Sequence, residues 1–145
     1  MALNMIKLCV GCDGIEDLEA WISFRLDELR RAGEPPEHFH TTRMAPKRAA
    51  ELLDGGSLYW VIKGNVQCRQ RLTDIRPFID VDGIERCKLV LEPKVTPTSW
   101  QPRRAFQGWR YLLQADAPAD LASTSAGWQA LPPELRRELA ELGLL

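Results

Sequence analysis

The chain has 145 residues, 45% hydrophobic and 27% charged, with a formal net charge of −1. That is ordinary for one globular domain with material for a sizeable core, and the whole of 1–145 is read as a single domain. No apolar run approaches the roughly 18 residues that span a bilayer, and no cleanly cleaved signal peptide opens the chain, so a cytoplasmic protein without membrane contact is expected.

The near-zero net charge hides a segregation. Thirteen of the nineteen Lys and Arg residues lie between His38 and Arg110, against seven acids, an excess of six positive charges. The flanks hold six bases and thirteen acids. Tyr59, Trp60, Trp100, Phe106, Trp109 and Tyr111 are interleaved with the central cations. Cations collected in one region attract phosphates, and aromatic faces add stacking to a base.

In chain order, Met5 to Val10 predicts a buried strand broken by Gly11 and Gly14. Ile15, Leu18, Ile22, Leu26 and Leu29 recur at helical spacing, with acids at the start and Arg30 and Arg31 at the end, which suits the helix dipole. Gly33 stops that helix. His38 to Met44 predicts a second strand, with His38, His40, Thr42 and Met44 on one face. Pro46 is expected to open a short helix running through Leu53. Leu58 to Ile62 is a strong strand, and Gly64-Asn65 signals a hairpin turn. The return strand, Val66 to Ile75, puts Val66, Cys68 and Leu72 on one face and Gln67, Arg69, Arg71 and Thr73 on the other. Gln70 breaks the apolar face. Asp82-Gly83 is a further turn, and Cys87, Leu89 and Leu91 follow at period two. Pro93 to Arg104 reads as irregular, and Phe106 to Leu113 as a last strand. A weak helical piece over 118–122 and a final helix over 131–143, packed on the domain through Leu135, Leu139 and Leu142, complete the chain. The class is α+β, with a mainly antiparallel sheet that curls or closes into a small pseudo-barrel, flanked by helices.

Several chemistries lack their residues. There is no G-x-S-x-G elbow, no phosphate loop and no G-x-G-x-x-G. Two-histidine phosphoester chemistry needs histidines on separate strands, and the two here stand two residues apart. Cys9 and Cys12 form a C-x-x-C pair. A structural zinc needs four ligands, and with only His38 and His40 as further candidates the expectation is no metal and no cofactor. If the protein were an enzyme acting on a phosphorylated or nucleotide-like ligand, His40, Thr42 and Lys47 would be its catalytic candidates. The cations around Pro46 (Arg43, Lys47, Arg48) suggest an anion site. Lys63, Arg69 and Arg71 flank the hairpin, Tyr59 and Trp109 are candidate stacking rings, and Arg110 adjoins Trp109.

The strings His40-Thr-Thr-Arg-Met-Ala-Pro-Lys-Arg48, Leu52-Leu-Asp-Gly-Gly-Ser-Leu-Tyr-Trp-Val-Ile-Lys-Gly64, Arg69-Gln-Arg71 and Phe106-Gln-Gly-Trp-Arg-Tyr111 resemble a bacterial family of small proteins classed as a domain of unknown function. The helix, Gly turn and basic hairpin are also similar in layout to the PUA-like superfamily, with its ASCH and EVE domains. That likeness implies a cleft for RNA or a modified base, bordered by residues 46–71. The expected function is therefore a non-catalytic nucleic-acid-binding module. The alternatives are a small enzyme on a nucleotide-like ligand, or a protein-interaction module using the final helix.

Overall fold

The structure, a computed structural model, describes residues 3–121. The expected final helix over 131–143 lies outside the described residues. Seven strands and two helices follow in the order β1 (Leu3–Leu8), α1 (Ile15–Arg31), β2 (Phe39–Thr42), α2 (Ala49–Leu53), β3 (Ser57–Ile62), β4 (Asn65–Ile79), β5 (Glu85–Leu91), β6 (Thr96–Pro102) and β7 (Trp109–Leu113). A 3-10 turn, Gln114–Asp116, follows β7. No helix among the described residues is long and apolar enough to cross a membrane.

The strands form one open, curled sheet in the order β2-β5-β4-β3-β1-β7, with β6 also paired to β4. It does not close into a barrel. All its pairs are antiparallel except β1 with β3. Parallel neighbours need a crossover, and the chain supplies one through α1, β2 and α2. β4 is long enough to serve two halves: residues 65–71 pair with β3 and β6, and Leu72 to Ile79 pair with β5. The β3–β4 turn has positive φ at both Lys63 (49°) and Gly64 (80°), the geometry that matches the twist of a hairpin.

The sheet is buried on both faces near β3. Leu58, Trp60 and Ile62 face a large cluster with Leu18, Ile22 and Leu26 of α1 and Leu52 of α2. Tyr59 and Val61 face a smaller cluster with Ile6, Val66 and Leu112. This explains the unbroken apolar run of β3, since a two-sided strand has no wet face.

Four local expectations are corrected. Val66 does not share a face with Cys68 and Leu72, because an irregularity between Trp60 and Val61 pairs Val61 with Val66 but Trp60 with Cys68. One extra residue reverses the side-chain alternation. Residues 96–102 form a strand despite Pro97 and Pro102, as an added strand paired to β4, the setting in which proline is tolerated. Helix α2 starts at Ala49 rather than at Pro46. In the described part of 118–122, residues 118–120 are not helical, and Asp120 forms an isolated antiparallel bridge with Thr98.

Candidate functional site

Two recesses of similar size lie apart in sequence and differ in chemistry. The first is built around β7. Trp109 and Tyr111 alternate onto the same side of that strand, and their rings meet edge to face at 4.9 Å. The Trp109 indole N–H donates to the Met44 carbonyl at 2.8 Å. Tyr111 Oη accepts the Arg48 backbone N–H at 3.1 Å. These two bonds fasten the 44–48 segment onto β7, so the Arg43–Arg48 cations and the Trp109–Tyr111 segment come together although some sixty residues separate them. The Arg48 guanidinium lies 5.6 Å over the Tyr111 ring and also pairs with Glu51.

Tyr111 also borders a recess of about 820 Å³ lined by Arg103, Arg104, Phe106, Arg110, Gln101 and Asp116. Arg110 lies 4.9 Å over the Phe106 ring. Gln101 Nε2 donates to the Asp116 carbonyl at 3.1 Å, which leaves the buried Oε1 without a partner among the described residues.

The predicted cations divide into two groups. Arg69 is committed: its fork donates to both carboxylate oxygens of Asp120 at 2.8 Å, and Nη1 donates to Ser57 Oγ at 2.9 Å. Lys63 pairs with Asp13 at 3.3 Å. Arg43, Lys47, Arg71, Arg103, Arg104 and Arg110 make no ion pair among the described residues. Tyr59 is buried in the smaller cluster, where burial pushes its hydroxyl pKa up. Its ring offers no exposed face to a base. The Pro46 region is a loop ahead of a five-residue helix whose N-cap is Arg48, so Arg43 and Lys47 sit on the loop surface and only Arg48 stands at the helix terminus. Arg103 and Arg104 were legible only in the charge count, because their segment read as irregular.

The second recess, about 800 Å³, lies between α1, the end of β1, and β2 and β3. Cys9, Cys12, His38 and His40 all line it, together with Lys7, Asp17, Trp21, Phe24 and Trp60. Burial pushes the Cys9 thiol well up, and its hydrogen bond with Cys12 adds to the effect. Burial lowers both histidines to about 4, helped by Arg25 at His38 and by Lys7 at His40, so both rings are neutral near pH 7. The four side chains share a cleft without converging: no group of three or more His, Cys, Asp or Glu residues among the described ones could hold a metal ion. The three catalytic candidates are not joined either. His40 lines this cleft, Thr42 is buried and donates to the Met44 carbonyl at 3.1 Å, and Lys47 is exposed on the loop.

The profile of a family described as proteins of unknown function, DUF1489, matches residues 5–145, nearly the whole chain. The chain belongs to this family. No curated protein and no solved structure matches it. In this DUF1489 member the two recesses differ in charge and in the residues that line them.

Proposed function

We propose that the protein binds single-stranded nucleic acid, RNA first, through the basic recess beside β7. The observation that carries this is the union of three guanidiniums without an ion pair among the described residues (Arg103, Arg104, Arg110) with the Phe106 ring around one concave surface, at a strand whose other side carries the Trp109 and Tyr111 rings. Guanidiniums suit phosphate because their fork can donate two bonds at once. Rings beside them suit stacked bases, with little demand on sequence. Arg43 and Lys47 add positive charge on the other side of β7, where the bonds at Trp109 and Tyr111 hold their loop. The exposed Asp116 carboxylate is an acceptor on the lining. Acceptors repel phosphate but suit a 2′-hydroxyl, which favours RNA over DNA. The binding is read as non-catalytic, because none of the described residues that line the recess pairs a nucleophile with a base.

The test is fluorescence anisotropy with a labelled single-stranded RNA across a salt series, for wild type and for Arg103→Ala with Arg104→Ala. Affinity should fall with salt, with a log–log slope of about 0.7 per neutralised phosphate. The double variant should bind more weakly and with a shallower slope. Salt-independent binding, or a variant that binds as wild type does, rejects the reading.

A further inference from the structure

Lys7 is the one cation among the described residues that line the cleft between α1 and β2, and the fold gives its ammonium no counter-charge. It makes no ion pair and no side-chain hydrogen bond among the described residues. Its side chain faces the cleft. Met5 and Lys7 alternate onto the same side of β1, where Met5 joins the α1 cluster, and the β3 partner of Lys7 is Trp60, another lining residue. Lys7 is partly exposed, and its Nζ is not sealed from solvent. Its charge also reaches His40, a third lining residue, whose pKa it helps to lower. The wall around it is largely apolar, with Trp21, Phe24, Phe39 and Trp60 among its side chains. Trp21 and Phe24, 50% and 54% exposed, stack at 6.0 Å. Arg25 lies 5.6 Å over both Trp21 and Phe39, which sets a second positive charge beside these rings. Asp17, the acid in the lining, is exposed and accepts the Asp13 backbone N–H at 2.8 Å, at the start of α1.

We propose that this cleft binds a small monocarboxylate with an aromatic body, its carboxylate paired with Lys7 Nζ and its ring laid against Trp21 and Phe24. A single cation in an apolar recess fits a ligand that is charged at one end and apolar over the rest. Partial burial lowers the Lys7 pKa, because desolvation penalises the charged form. A carboxylate gives the ammonium its missing counter-charge, in surroundings that screen the attraction less than water does. An uncharged ligand of the same shape gives it none. About 800 Å³ lies within the usual size of small-molecule sites, roughly 300–1,000 Å³. The lining shares no residue with that of the basic recess, and the ligand needs no phosphate.

The probes are phenylacetate and indole-3-acetate, with phenylacetamide as the uncharged match. Calorimetric titration measures their binding. NMR of protein labelled with ¹³Cε-lysine follows the Lys7 resonance, identified by its absence in Lys7→Met. The expected result is saturable binding of at least one acid, roughly tenfold tighter than the amide, with the Lys7 pKa raised in the complex. Lys7→Met keeps the apolar stem and should lose the preference for acid over amide, with a melting temperature no lower than that of wild type. Trp21→Ala, at an exposed position, should weaken the acid about tenfold, the effect of one lost aromatic contact. Failure of both acids to bind at millimolar concentration overturns the proposal. So does equal affinity for acid and amide, a Lys7 pKa that binding leaves unmoved, or a Lys7→Met variant that keeps the preference. Were Lys7→Met not to fold, Lys7→Arg supplies the same assignment, and the acid-to-amide ratio of wild type decides. None of these outcomes touches the salt-dependent binding at Arg103 and Arg104.

Discussion

The Trp60 indole N–H donates to Gln70 Oε1 at 2.9 Å, and Gln70 Nε2 donates to the Glu92 carbonyl at 2.8 Å. Gln70 is fully buried, on the face that the sequence pattern otherwise reserves for apolar residues. It joins β3, β4 and the end of β5 through one side chain. Gln70→Leu should therefore lower stability by about 2 kcal/mol, because two buried groups lose their partner. Adding Trp60→Phe removes one of the stranded donors and should recover part of the loss. Urea denaturation of the single and double variants measures both effects.

Gly56 leaves no room for a side chain. A Cβ there would sit 2.2 Å from the Leu3 carbonyl oxygen and 2.3 Å from that of Leu52. Both obstacles are backbone, so neither can swing aside. Gly56→Ala should cost about 3 kcal/mol or prevent folding, near the upper end of overpacking penalties. Gly55→Ala is the comparison: open space surrounds its Cβ, and only the positive φ of 87° penalises it. It should cost about 1 kcal/mol. Thermal melting of the two variants gives the ranking.

Arg69 and Arg103 should separate stability from binding. The Arg69–Asp120 fork is about three-quarters buried and ties β4 to the segment that bridges to Thr98. Arg69→Met should lower stability by about 1–3 kcal/mol, since it leaves Asp120 with a poorly solvated carboxylate. RNA affinity should barely change, because this guanidinium is already engaged. Arg103→Ala should do the reverse. Melting curves and anisotropy on the same two variants decide it.

Stability should depend on pH through the histidines. Their folded pKa values of about 4 lie below the ordinary 6.5. Between those limits the unfolded chain binds protons that the folded chain refuses, so stability falls as pH drops from 6.5 toward 4. Asp74, Asp80 and Glu51 are held below their ordinary 3.8 and 4.5 by Arg76, Arg86 and Arg48, so their losses come at lower pH. Glu19, raised by burial, acts in the opposite sense just above 4.5. A His38→Gln, His40→Gln variant should show a flatter melting temperature between pH 6.5 and 5 than wild type. An equal slope in both proteins would contradict neutral buried imidazoles.

The parts of the fold visible in the sequence are those governed by local rules. The α1 stripe from Ile15 to Leu26, the β3–β4 hairpin, whose turn is Lys63-Gly64 where the sequence signals Gly64-Asn65, and the period-two run of β5 follow from helix geometry, turn chemistry and strand alternation. The features that were hidden depend on partners far along the chain. Gln70 looks like a flaw until Trp60 and Glu92 stand beside it. Val66 changes face through a pairing shift that no single strand reveals. Pro97 and Pro102 argue against a strand unless it is known to lie along the open side of β4. The site divides in the same way. Clustered central cations were plain from composition, but which of them remain unpaired depends on acids such as Asp120 and Asp13, brought near by topology.

β1 lies between β3 and β7, with Met5 opposite both Leu58 and Tyr111. During translation the first strand therefore leaves the ribosome long before either neighbour exists. Its parallel partner arrives some fifty residues later, and its antiparallel partner after about a hundred. Until then a run of Leu, Met and Ile stays uncovered, a natural target for a chaperone. Completion of the sheet waits for one of the last described segments to be made, so a message truncated before Trp109 would yield a chain with its opening strand left half-paired.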